Sequence, residues 1–190
     1  MNRMMTIIAG GLVLSASVNA RAGVNLIENG DFDSSPYTGN RASVAEGASF
    51  GNAWKVLRAL NVNLVRGTAA PSWLLHSALK DQCGTFAAYM QPAHDAGDLI
   101  LYQDVAVPEP GLYKFSAKFV ARVNGNNGNT FSFSIGGTQL YSGSTTKDNF
   151  WQKFVRYVRI PSPGVYRIEV KSYCVDKDQS TLFDDFVLEK

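Results

Sequence analysis

Residues 107–122, VPEPGLYKFSAKFVAR, narrow the choice of folds more than any other part of this 190-residue chain, because they spell a strand end, a tight turn and a long strand in one short stretch. An echo follows at residues 160–170, IPSPGVYRIEV. In both copies an apolar residue precedes Pro-x-Pro-Gly, and the glycine leads into an aliphatic residue, a tyrosine, a basic residue and another apolar one. Proline presets φ at the second turn position and glycine supplies positive φ at the third, so type II turns are predicted at Gly111 and Gly164. Such units make the edges and corners of sheets. Beyond the first turn, Tyr113, Phe115, Ala117, Phe119 and Ala121 share one face, and Lys114, Ser116, Lys118 and Arg122 share the other. One face belongs to a core and the other to solvent.

The same alternation recurs along the chain. Residues 24–32, VNLIENGDF, predict a first strand that runs into a polar turn, and residues 34–53, rich in Gly, Ala, Ser and Asn, predict a long loop. Strand character resumes over 54–65, with Trp54, Val56, Val62 and Leu64 toward a core and Asn61 and Asn63 outward. Residues 67–84 read as irregular, with one short helical turn near 72–79. Phe86, Ala88 and Met90 then point inward, with Tyr89 outward. Over 99–107, Leu101, Gln103, Val105 and Val107 fall together, opposite Ile100, Tyr102 and Asp104. The run NGNNGN at 124–129 predicts a hairpin loop. Phe131, Phe133 and Ile135 return to the core, Gly136-Gly137 turns the chain, and strands follow at 138–141, 150–160, 166–173 and 181–189. Many short strands with turn chemistry between them, and no amphipathic helix, predict an all-β, two-sheet antiparallel β-sandwich.

Length allows one full domain rather than two. Residues 1–22 stand apart from it: Arg3 gives a positive start, residues 6–18 are mostly apolar or small, and Ala20-Arg21-Ala22 offers a signal-peptidase site. A secretory signal cleaved after Ala22, or alternatively after Ala20, is expected. The apolar run is shorter than the ~20 residues a membrane span needs. The expected mature domain, 23–190, is secreted or periplasmic. Of the 18 Lys and Arg, Arg3 and Arg21 leave with the signal, so the mature chain is formally neutral against its 16 acids. That argues against a nucleic-acid or polybasic membrane binder. Cys83 and Cys174, in an exported chain, most simply form one disulfide, worth roughly 4 kcal/mol for a loop of about ninety residues. Metal ligation or a reactive thiol is the alternative.

Taken in order, NLIENGDF, Trp54 after a Gly-rich loop, GTFAAYM, LYQDVAVPEPGLYKFSAKFVAR, FSFSIGG, FWQKF, PGVYRIEV and FDDFVLE resemble galactose-binding-like jelly-roll domains, which include many carbohydrate-binding modules. The resemblance covers most of the mature chain. It implies a two-sheet jelly roll, non-catalytic binding of a glycan or polysaccharide on a sheet face or in rim loops, and a structural calcium where the chain ends meet. On this sequence the calcium ligands implied are Asn29, Asp31 and Asp33 at one end and Asp184 and Asp185 at the other. Asp33 stands where many relatives carry Glu, which shortens its reach by one methylene.

Sugars present apolar faces ringed by hydroxyls, so their sites pair exposed aromatics with planar polar groups. Trp54 and Trp151 sit at strand starts and read as structural. Trp73, in the irregular PSWLLHSALK with His76 nearby, is a loop aromatic that either meets ligand or covers the core. Tyr89, Tyr102, Lys118, Arg122 and Ser132 form an outward set on strands that could adjoin in one sheet. Catalysis has little support: His76 and His94 lie in loops, and no zinc-protease or phosphate-loop motif occurs. The expectation is therefore a lectin-like binding domain and no enzyme. A structural or adhesive module that binds a surface or matrix protein is the alternative, and a small polysaccharide lyase or hydrolase is a third reading.

Overall fold

The computed structural model describes residues 23–37, 39, 41–50, 53–57, 62–70, 74–75, 77–92, 97–123, 129–145, 148–173 and 179–190. The strands among them are β1 (Arg41–Ser43), β2 (Ser49–Phe50), β3 (Trp54–Leu57), β4 (Val62–Arg66), β5 (Phe86–Met90), β6 (Leu99–Val107), β7 (Gly111–Ala121), β8 (Thr130–Ile135), β9 (Thr138–Ser144), β10 (Gln152–Ile160), β11 (Gly164–Tyr173) and β12 (Thr181–Glu189). Short 3-10 helices occupy Gly67–Ala69 and Ser77–Gln82. The first sheet has the order β1-β4-β5-β12-β7-β10 and the second β2-β3-β6-β11-β8-β9. Neighbouring strands pair antiparallel throughout. The expected two-sheet sandwich is thus the architecture observed. From β5 onward the chain changes sheet at every connection except the β8–β9 hairpin, which turns at Gly136-Gly137.

The two Pro-x-Pro-Gly units are corners between the sheets. β6 leaves the second sheet at Val107 and β7 enters the first at Gly111, while β10 leaves the first at Ile160 and β11 enters the second at Gly164. Gly111 lies opposite Ile160 and Gly164 opposite Val107, so the corners sit side by side. The Tyr113 hydroxyl donates to the Glu109 carbonyl at 2.8 Å and the Tyr166 hydroxyl to the Ser162 carbonyl at 2.9 Å. Each tyrosine therefore ties down the carbonyl four residues behind it, which explains its place in both copies. The expected glycine conformation is corrected: neither Gly111 nor Gly164 has positive φ, because each is already a paired residue at the start of a strand.

The main core lies between the sheets and is rich in aromatics. Trp54 is fully buried against Phe32 and Phe186, with ring centroids 5.5 and 4.9 Å away. Phe131 and Phe183 meet edge to face at 5.0 Å. Such pairs add roughly 0.5–1.5 kcal/mol each beyond the burial of their area.

A second cluster lies on the outer side of the first sheet. Val65, Ala70, Leu74, Leu75, Leu79, Cys83, Ala87, Tyr89, Val120 and Leu182 pack there, with Trp151 alongside. Part of the segment 67–83 thus covers the β4-β5-β12 region, and every residue of β5 is buried. Two outward assignments are corrected by this second layer. Asn63 is buried and accepts from the Ser43 hydroxyl at 2.9 Å, and Tyr89 is 1% exposed. Asn61 lies outside the described residues.

The strand expected over 24–32 is not formed. Asn29 and Phe32 take left-handed φ values of 47° and 56°, which break an extended run. The segment is held beside β12 by other bonds: Leu26 N–H donates to the Leu188 carbonyl at 2.8 Å, and the Asn25 side chain donates to Phe186 and accepts from Leu188 N–H. Phe186 N–H donates to the Gly30 carbonyl at 2.9 Å, and a Cβ at Gly30 would meet the Phe186 oxygen at 2.0 Å, so only glycine permits this approach. Buried Gln103 fastens the same segment from the second sheet, bonding both the N–H and the carbonyl of Glu28 at 2.8 Å. No helix among the described residues is long and apolar enough to cross a membrane. The expected signal, 1–22, and the 124–128 part of the hairpin loop lie outside the described residues.

Candidate functional site

Among the described residues nothing covers the outer side of the second sheet, and strand register brings polar side chains into rows across it. Lys55, Tyr102, Glu169, Ser134 and Gln139 stand opposite one another on β3, β6, β11, β8 and β9. The next row holds Leu57, Ile100, Lys171, Ser132 and Ser142. Over β8, β9 and β11 the surface sinks into a cavity of about 290 Å³ whose polar lining includes Ser132, Ser134, Gln139, Arg167, Glu169 and Lys171.

The two cations here are fixed before any ligand arrives. Arg167 donates from Nε and a terminal nitrogen to the two oxygens of Asp104, at 2.8 and 3.0 Å, and its guanidinium lies 3.9 Å over the Tyr102 ring. The Arg167 bond holds the Asp104 carboxyl below its usual range, and the same bond raises Arg167. Lys171 pairs with Asp98 at 2.8 Å, which raises its pKa, and its ammonium lies 4.9 Å from the Tyr173 ring centre. Ser132 and Tyr173 hydroxyls are 3.3 Å apart. Hydroxyl, amide, carboxylate, guanidinium and ammonium groups therefore converge on one shallow cavity. Among the described residues Glu169 is the one carboxylate in its lining.

The outward set expected from sequence is split by the fold. Tyr89, Lys118 and Arg122 belong to the first sheet or its end, and Tyr102 and Ser132 to the second. Tyr89 is buried beneath the covering segment, its hydroxyl donating to the Gln91 side chain at 2.7 Å. Lys118 forms an ion pair with Asp185. Arg122 follows β7, and its backbone N–H donates to the Ser180 carbonyl at 3.2 Å. Tyr102 is on the open face, but Arg167 occupies one side of its ring. Trp73 and His76 lie outside the described residues. Trp54 is core as expected, while Trp151 packs on the second cluster and donates from Nε1 to the Leu79 carbonyl at 3.5 Å. Arg167, Glu169, Lys171 and Tyr173 were missed, although YRIEVKSY alternates them onto one strand face.

The expected calcium ligands divide into two groups. Asn29, Asp31 and Asp185 line a separate cavity of about 310 Å³. Within it the Asn29 side chain accepts from Ser34 N–H at 2.8 Å, and Asp31 accepts from Asp33 N–H at 3.2 Å. Asp33 turns the other way, its Oδ1 accepting from Thr85 and Phe86 N–H at 2.5 and 3.0 Å. Asp184 is 1% exposed and accepts from Asp185 N–H at 2.8 Å. Burial pushes its carboxyl up to about 9, helped by the charges of Asp185 and Asp33. Among the described residues no three His, Cys, Asp or Glu side chains group to hold a metal.

Among the described residues no disulfide is formed. Cys83 is a free, buried thiol whose Sγ donates to the Lys80 carbonyl at 3.4 Å and is packed so closely on Gly67 that a Cβ there would lie 1.9 Å from it. Burial, then the charge of Asp184, pushes this thiol up to about 12. Cys174 lies outside the described residues.

No family model matches the chain, and no curated protein matches it in sequence. Solved structures do match in fold. TmCBM61 in complex with β-1,4-galactotriose superposes with a TM-score of 0.55 at 18% identity, over 88% of this chain and 99% of that one. A CBM4 carbohydrate-binding module gives 0.51 at 15% identity, over 86% and 98%. The arabinose-bound α-L-arabinofuranosidase MgGH51 gives 0.55 at 14% identity, over 91% of this chain but 27% of the enzyme.

Proposed function

We propose that this chain, which has the β-sandwich fold of those carbohydrate-binding modules, is a non-catalytic glycan-binding domain whose site is the outer face of the second sheet. The observation that carries the reading is the cavity over β8, β9 and β11, where fixed donors and acceptors converge. Arg167, held by Asp104 and Tyr102, offers its remaining donors to sugar hydroxyls with little further loss of side-chain freedom. Glu169 accepts from a hydroxyl pair, Lys171 donates, and Ser132, Ser134 and Gln139 do both. Calorimetric titration against a glycan panel that includes β-1,4-galactotriose tests this. Saturable binding without depolymerisation is expected, and Arg167→Ala or Glu169→Gln should each weaken it roughly tenfold or more. Absence of binding across the panel, or chain cleavage, would overturn it.

The proposal includes a structural calcium held by Asp33 and Asp184. The donors suit a hard cation: both are carboxylates, and Asp184 is buried with acidic neighbours that raise its proton affinity. Two carboxylates need backbone carbonyls to complete such a shell. Bound calcium would neutralise this cluster and join the segment after Phe32 to β12. Millimolar calcium should raise Tm relative to chelator; an unchanged Tm removes the ion from the account. Export follows from residues 1–22, and the mass of the protein recovered outside the cytoplasm should correspond to a start at Gly23 or Arg21.

A further inference from the structure

The first sheet ends in β10, and this edge is unlike the others among the described strands. β1 and β2, two of the other edges, have three and two residues, and the pairing of the fourth, β9, slips between Phe133 and Ser134. β10 pairs with β7 over nine successive residues with no shift. Its sequence, QKFVRYVRI, carries three cations and no acid. Lys114, Lys118, Arg167, Lys171 and Lys190 each have a carboxylate partner; Lys153, Arg156 and Arg159 form no ion pair among the described residues. Val155 and Tyr157 are 43% and 62% exposed, and Leu112, opposite Arg159, is 54% exposed.

We infer that β10 is a docking edge for an acidic, extended segment of another protein, which adds to the first sheet as a further strand. An edge strand has one row of backbone N–H and C=O groups with no ladder partner, and an extended peptide satisfies that row. The charges select its composition. Lys153 and Arg159 lie on the outer face and Arg156 on the opposite one, since side chains alternate along a strand. An added strand presents side chains to both faces, so acids along it can reach all three cations, while its apolar residues meet Val155 and Tyr157. A polysaccharide lying on the outer face would leave Arg156 and the backbone row unused. A second copy of this chain pairing through β10 would set cations against cations, which disfavours self-association. The inference concerns an edge of the first sheet and is independent of the cavity on the second.

The test titrates isotope-labelled mature protein with a synthetic peptide as long as β10, with Glu at its second, fifth and eighth positions, opposite Lys153, Arg156 and Arg159 in either strand direction, and Val or Thr at the others. Saturable backbone amide shifts centred on residues 152–160 are expected, with binding that weakens as salt rises. The combined variant Lys153→Glu, Arg156→Glu, Arg159→Glu should weaken binding roughly tenfold or more, and the neutral variant with Gln at all three positions should fall between. Both should keep the wild-type Tm and glycan affinity, which separates loss of docking from loss of fold. The same peptide N-methylated at the residues whose N–H groups face β10 should not bind. Absence of shifts at β10, equal binding of the N-methylated peptide, or β10 shifts with an oligouronate but not with the peptide would each overturn the inference.

Discussion

The outer faces of the two sheets differ in what has been laid over them. On the first sheet, Val65, Ala87, Tyr89, Val120 and Leu182 point outward and are buried again by Leu74, Leu75 and Leu79. On the second, the corresponding rows carry Lys55, Glu169, Lys171 and serines, and nothing covers them among the described residues. A sandwich buries the inner face of each sheet in any case. The outer face becomes structure where its side chains are apolar enough to attract a second layer, and becomes available for ligands where they are polar and fixed by one another.

The largest effect should come from opening the covered face. Leu182→Ala removes a fully buried side chain from beneath the segment 67–83, and should cost about 2–4 kcal/mol in urea unfolding. Ser134→Ala, on the open face, should change stability by less than about 0.5 kcal/mol. Equal losses at both positions would break the contrast.

A pH series probes the boundary between the segment after Phe32 and β12. Asp184 has a folded-state pKa of about 9, far above the ordinary 3.8. The native state therefore holds a proton that the unfolded chain has released. Stability conferred by the neutral group is full below about pH 4 and is lost as pH rises towards 9. In chelator, Tm should fall across that window, and Asp184→Asn should flatten the profile and raise Tm at its alkaline end. Calcium should restore the wild type and leave this variant unchanged.

The stability effect at Arg167 should also be small. Its ion pair with Asp104 is 46% and 36% exposed at the two side chains, so Arg167→Ala should cost no more than about 1 kcal/mol. The same substitution should nonetheless weaken glycan binding. A residue whose loss barely moves Tm but removes affinity belongs to the open face in the sense argued above.

Alternation in the sequence identified the inner face of nearly every long strand, from Leu101 and Val105 to Phe131 and Phe133. It could not show whether an outward residue meets water, which is why Asn63 and Tyr89 were misassigned. The run FAAYM held the clue, since Ala87 and Tyr89 give its outer side no charge to solvate. Residues 24–32 misled for another reason: the apolar pattern was that of a strand, but Asn29 and Phe32 turn left-handed to bring Gly30 against Phe186. At the site, Tyr102 and Ser132 were legible and their charged neighbours were not. Arg167, Glu169 and Lys171 are distant in sequence from Tyr102 and reach it only through the β6–β11 register.

The most direct test maps backbone amide shifts on the isotope-labelled protein during titration with whichever glycan binds from the panel. The account predicts shifts concentrated on β8, β9 and β11 around Ser132, Ser134, Gln139 and Glu169, and abolished by Arg167→Ala at the same glycan concentration. Shifts confined to the first sheet or to residues 67–83, or a pattern unchanged in that variant, would contradict it.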